Sequence, residues 1–225
     1  MSTGTVEAWD AIIRVPEARF NYNKCALIII DLQYMTASRQ YGAFKKLADL
    51  GHGDGAEYAI SRIENTVVPN VAKLCAAMRR RNLPVIYARC GSLRGDGSDQ
   101  TRRHREQGLT ISLDQKEAQI LEGIAPQKGD IVLTKSGSGC FTSTNLNHIL
   151  RNMGVADVIL TGIWTNSCVE TTSRNAGDLD YRQVIVEDCC AATDHGNHLA
   201  ALKMVKMQGG VFGAVANSKA LLEKL

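Results

Sequence analysis

The chain has 225 residues, 44% of them hydrophobic and 22% charged, and a net charge of +3. These values suit one α/β domain with a full core; the charge is too small for a nucleic-acid binder, and no apolar run approaches the ~20 residues of a membrane span. Seven cysteines, an odd number, and a first stretch broken by Glu7, Asp10 and Glu17 point to reduced thiols in the cytoplasm rather than to secretion.

Residues 1–22 are expected to extend a single domain at its N-terminus. Residues 24–31 form an apolar, β-branched run that ends in a carboxylate, Asp31. Strands buried on both faces of a parallel sheet read this way. Residues 34–58 carry Gly42, Gly51, Gly53 and Gly55 and are expected to be a loop. Ser61-Arg-Ile-Glu64 has the pattern of a capping box and predicts a helix from there to Arg81. The arginines at 79–81 suit that helix's C-terminal end. A strand is predicted over 84–89, then a second loop over 91–115. This loop holds Arg102-Arg-His-Arg105, which reads first as a solvated face or subunit contact, and second as an attractor for an anionic substrate.

Residues 129–135 are another strand, ending in Lys135. Gly137-Ser-Gly139 lacks the ending of a phosphate loop and is expected to let Phe141 approach a substrate. A helix over 142–152 closes at Gly154, and a strand over 155–161 leads to Cys168. That thiol is expected on the first turn of a helix over 169–179, capped by Thr165 or Asn166, where the helix dipole lowers its pKa. A strand over 183–187 precedes Cys189-Cys190, read as a packing pair rather than a redox switch. Asp194 caps a helix over 196–207; a strand over 212–215 and a helix over 218–224 complete the chain. Such alternation predicts a parallel sheet with right-handed crossovers.

Asp31, Lys135 and Cys168 then stand at the same end of three buried strands, where open α/β sheets bind ligands. A buried structural cysteine explains Cys168 alone equally well. Together the three supply a proton acceptor, a cation and a nucleophile, the set that thiol-based acyl transfer needs.

At these residues the chain resembles the isochorismatase-like cysteine hydrolases. The likeness runs from about Lys24 to the C-terminus and rests on Ile-Ile-Asp-Leu-Gln at 29–33, Leu-Thr-Lys at 133–135, Thr-Gly-Ile-Trp-Thr-Asn-Ser-Cys-Val at 161–169 and Val-Glu-Asp-Cys-Cys-Ala-Ala-Thr at 186–193. The stretch 196–213 is especially similar to the biuret hydrolase branch. The resemblance implies a three-layer α/β/α sandwich, Rossmann-like, around a mainly parallel six-stranded sheet of order 3-2-1-4-5-6. It implies Cys168 as nucleophile, Asp31 as general base and later acid, and Lys135 as third member of the triad. It implies a cis peptide between Ile163 and Trp164, with the Trp164 and Cys168 N–H groups as oxyanion hole. Trp164 is larger than the residue expected there, and its side chain becomes a candidate for shaping the pocket. Gln208 matches a pocket glutamine whose amide reads a planar ureido group.

The implied activity is thioester-based cleavage of an amide C–N bond in a small ureido compound: biuret to allophanate and ammonia. The alternative is ureidoacrylate or an N-carbamoyl amino acid such as N-carbamoylsarcosine, whose carboxylate asks for an Arg or Lys. A thiol redox sensor is the non-enzyme alternative, disfavoured because a sensor needs no acid and base around its thiol. No cofactor, nucleic acid or membrane is expected, and a dimer or tetramer is. No metal is expected either: His52-Gly-Asp54 reverses the Asp-x-His order of the metal-binding nicotinamidases, and Asp194 beside His195 and His198 reads as a cap. Nicotinamide is correspondingly disfavoured.

Overall fold

The computed structural model describes residues 20–225; residues 1–19 of the expected extension lie outside them. β1 (Cys25–Ile30), β2 (Val85–Cys90), β3 (Ile131–Lys135), β4 (Asp157–Ile163), β5 (Arg182–Ala191) and β6 (Ala214–Ala216) pair in parallel in one six-stranded sheet. Their order is β3-β2-β1-β4-β5-β6. Every residue of the central strand β1 is buried. Leu27 and Ile29 belong to one apolar cluster, with Val71, Leu74 and Met78 of α4 (Val68–Arg80). Ile28 and Ile30 belong to another, with Leu146 and Leu150 of α7 (Leu146–Asn152) and Leu202 and Val205 of α9 (His195–Gly210). Two apolar faces explain the unbroken apolar run, and helices on both faces give three layers.

The segment over 34–58 is not a loop. It folds as α1 (Tyr34–Ala37), α2 (Gly42–Asp49) and the start of α3 (Gly53–Arg62). Ser61 and Glu64 do not open a helix: α3 runs on through a π turn, Ile63–Val67, into α4. Ser61 instead bonds Glu57 one turn back, while Arg39 binds Glu64 at 2.8 Å and Glu57 at 2.7 Å.

The second loop contains α5 (Arg102–Glu106). The helix expected over 142–152 is two pieces, α6 (Cys140–Ser143) and α7, parted where the Thr144 hydroxyl donates to the Cys140 carbonyl and accepts from the Leu146 N–H. After β4 comes a π turn, Thr165–Val169, then α8 (Glu170–Asp178). β5 outruns its expected end and sends the buried Cys189 and Cys190 to opposite faces of the sheet. Asp194 caps α9, accepting from the Asn197 N–H at 2.8 Å, and α10 (Ser218–Leu222) ends the fold. No helix among the described residues is long and apolar enough to cross a membrane.

Candidate active site

Three strand ends meet at the C-terminal edge of the sheet. Asp31 follows β1 with φ of 55°, a left-handed conformation that aspartate tolerates better than most residues. Its N–H donates to the Ala88 carbonyl at 2.9 Å, which ties it to β2. Gly162 in β4 has φ of 110°, and a Cβ there would lie 2.0 Å from the Ile30 carbonyl oxygen. Only glycine lets β4 pass this close to the end of β1, and that approach sets the π turn bearing Cys168 beside Asp31.

Lys135 reaches across from β3. It is fully buried, and its Nζ lies 2.9 Å from Asp31 Oδ2, 3.0 Å from the Gly137 carbonyl, 3.2 Å from Cys90 Sγ and 3.5 Å from Cys168 Sγ. Burial alone would lower its pKa; Asp31 and the neighbouring thiols override that and hold it well above the ordinary lysine value. Lys135 is therefore an ammonium. The second carboxylate oxygen, Asp31 Oδ1, is buried and has no hydrogen-bond partner among the described residues.

The expectation of a lowered Cys168 pKa is overturned. Burial first, and then the adjacent Asp31 carboxylate, push the thiol up to about 11, with Lys135 pulling the other way. Neither Thr165 nor Asn166 caps the turn. The site thus holds a neutral thiol beside the Asp31 carboxyl group and the Lys135 ammonium.

Thr165 has another task. Its hydroxyl lies 2.8 Å from His198 Nδ1, while Arg62 Nη2 lies 3.0 Å from His198 Nε2. Arginine only donates, so Nε2 accepts and Nδ1 carries the proton that bonds Thr165. Burial, with Arg62 next, lowers the His198 pKa to about 4, which keeps the ring neutral. Arg62 also donates to the Cys190 carbonyl at 2.9 Å. This chain from α3 through α9 fixes the turn that holds Cys168. The His195 and His198 pair, weighed in the sequence only as metal ligands, contains this brace. Among the described residues no group of three or more His, Cys, Asp or Glu side chains is placed to hold a metal.

The Ile163–Trp164 peptide is cis, and the Trp164 N–H has no hydrogen-bond partner among the described residues. The Trp164 ring meets Phe44 edge-on, centroids 6.1 Å apart, and lines an apolar cavity of about 300 Å³ with Phe44, Leu47 and Ala56. Phe141 is buried against Tyr181, centroids 5.4 Å apart, in the same apolar cluster as Cys168. Gln208 falls on α9, but its side chain lies outside the described residues.

Of two further site neighbours, Cys90 had no signal in the sequence, and Gln33 stood there only as the last residue of the 29–33 motif. Cys90 is the last residue of β2 and touches Lys135. Gln33 binds both backbone groups of Cys90, accepting from its N–H at 2.6 Å and donating to its carbonyl at 2.9 Å, and so locks the ends of β1 and β2 together.

The isochorismatase domain family model matches residues 25–218. The ureidoacrylate amidohydrolase of Pseudomonas syringae pv. syringae (strain B728a) is 30% identical over 186 residues, 76% of this chain and 71% of the relative. A cysteine hydrolase from Pseudomonas syringae pv. phaseolicola 1448A superposes with a TM-score of 0.74 at 24% identity, covering 94% of this chain and 95% of its own. The N-carbamoylsarcosine amidase of Thermoplasma acidophilum superposes with a TM-score of 0.64 at 25% identity, covering 87% and 96%.

Proposed function

This chain belongs to the isochorismatase family, and from that premise we propose that it is a cysteine-dependent amidohydrolase of small ureido acids, ureidoacrylate or an N-carbamoyl amino acid. The observation that carries the reading is Lys135 Nζ standing 2.9 Å from Asp31 and 3.5 Å from the Cys168 sulfur, inside the sheet's C-terminal edge. Biuret, the substrate expected from the C-terminal stretch, has no support in the relatives above, whose names specify ureidoacrylate and N-carbamoylsarcosine.

The reaction follows from the charges. Asp31 accepts the Cys168 proton as the sulfur attacks the ureido carbon, and Lys135 offsets the negative charge moving through the site. The Trp164 and Cys168 N–H groups receive the carbonyl oxygen, a type of contact worth ~3–4 kcal/mol per donor in other enzymes. Asp31 returns the proton to the leaving nitrogen, which departs as a neutral amine. Water then attacks the S-carbamoyl thioester with Asp31 as base, the proton returns to the sulfur, and carbamate leaves and breaks down to carbon dioxide and ammonia. One residue serves as base and acid in turn because Asp31 stands 2.9 Å from the Lys135 ammonium that also touches the Cys168 sulfur.

The test is ammonia and carbon dioxide release from ureidoacrylate, N-carbamoylsarcosine and biuret, with Cys168→Ala as control. Turnover of the carboxylated compounds that vanishes in the variant supports the reading. Undiminished turnover by folded Cys168→Ala removes the mechanism, and turnover of biuret alone removes the substrate class.

A further inference from the structure

We infer that Arg103 binds the carboxylate of the ureido acid at the mouth of the site and so sets the substrate class; this rests on the ureidohydrolase reading above. A ureido acid carries its anion several bonds beyond the carbon under attack. Within the site the Asp31 and Lys135 charges balance one another at 2.9 Å, so this pair offers no net charge to a second carboxylate. A receptor for it belongs on the rim.

α5 supplies one. The Thr101 N–H before this helix donates to the Ser136 carbonyl at 3.0 Å, one residue past Lys135, and so seats the helix on the catalytic edge. Its three arginines then part company. Arg102 points outward and pairs with Glu106 at 3.5 Å. Arg105 folds back onto the Gln100 carbonyl at 2.5 Å. Arg103 alone turns to the catalytic loop, where its Nη2 donates to Ser138 Oγ. Ser138 adjoins Gly137, whose carbonyl holds Lys135 Nζ at 3.0 Å. Arg103 is exposed and forms no ion pair among the described residues, so its fork remains available for bidentate carboxylate binding.

The next residue, His104, is turned inward and buried, with Nδ1 unpartnered. Burial, followed by Lys135 and Arg103, lowers its pKa, so it is neutral at pH 7 and adds no competing cation.

The experiment compares ureidoacrylate with its uncharged carboxamide, following carbon dioxide from the ureido carbon, in the wild type, Arg103→Gln, Arg103→Lys and Arg102→Gln. A lost charge-assisted contact predicts that Arg103→Gln lowers kcat/KM for the acid about 10- to 100-fold, mainly through KM. The carboxamide keeps its rate, Arg103→Lys restores part of the loss, and Arg102→Gln changes neither substrate. Equal losses on acid and carboxamide make Arg103 a support for the Lys135 loop and overturn the assignment, as does no loss on either. A wild type idle on both compounds overturns the ureidohydrolase reading itself.

Discussion

Replacing Lys135 by methionine isolates the energetics of the site. At 2.9 Å and an effective dielectric of about 20, the attraction to Asp31 is about 6 kcal/mol. Part of it offsets the burial of both charges, and losing one partner of such a pair costs about 3–5 kcal/mol. We expect Lys135→Met to lower the urea midpoint by about 1–2 M at pH 8 and to abolish turnover. The loss comes from an uncompensated carboxylate, so acid relieves it, and the gap to wild type narrows as pH falls from 8 to 5. The wild-type contribution of Lys135 stays level across that range. Its folded pKa is raised, so its stabilisation is fully present below the unfolded value near 10.5 and is lost only as pH climbs through the folded one. The double variant Asp31→Asn/Lys135→Met, with neither charge, should recover most of the midpoint and none of the activity. Equal destabilisation of the single and double variants, or a gap that ignores pH, would refute this account.

Asp31→Asn keeps the left-handed backbone but removes the second cause of the raised Cys168 pKa. Iodoacetamide at pH 8 should therefore alkylate Cys168 several-fold faster while turnover falls about 100- to 10,000-fold; slower alkylation would contradict the assigned charges. Cys189 and Cys190, fully buried with thiols pushed up by burial, should both stay unmodified in the native protein by peptide mass analysis. Gly162→Ala forces a Cβ to within 2.0 Å of the Ile30 carbonyl and should cost about 3 kcal/mol or more, lowering Tm by about 6–12 °C in calorimetry; an unchanged Tm would show that the strand ends can part.

What the sequence revealed tracks how much each segment buries. β1 and β4 bury side chains on both faces, and their apolar runs were legible, as were the strand ends that carry Asp31 after β1 and Lys135 on β3. α2 and the first part of α3 bury little beyond Phe44, Ala56 and Ala59, so their glycines and charges dominated the pattern and concealed two helices. Ser61 and Glu64 have capping-box spacing, but Arg39, distant in sequence, claims that acid. His104 was hidden inside an arginine run whose helical phase turns one residue inward, and His198 inside a pair weighed only for metal. The Cys168 pKa was misjudged because helix-start electrostatics count only the local backbone, whereas burial and Asp31 arrive with the tertiary fold.

The strand order also has a history in time. Translation delivers β1 early and β2 soon after, but β4, the other neighbour of β1, begins only at Asp157. Through that interval Cys25–Ile30 presents an open edge of unpaired amides and carbonyls on an entirely apolar strand. A chain truncated before Asp157 keeps this edge open and is expected to aggregate. Because Asp31, Lys135 and Cys168 sit at the ends of β1, β3 and β4, which are made far apart, recovered catalysis in a refolding assay would report the joining of β3-β2-β1-β4.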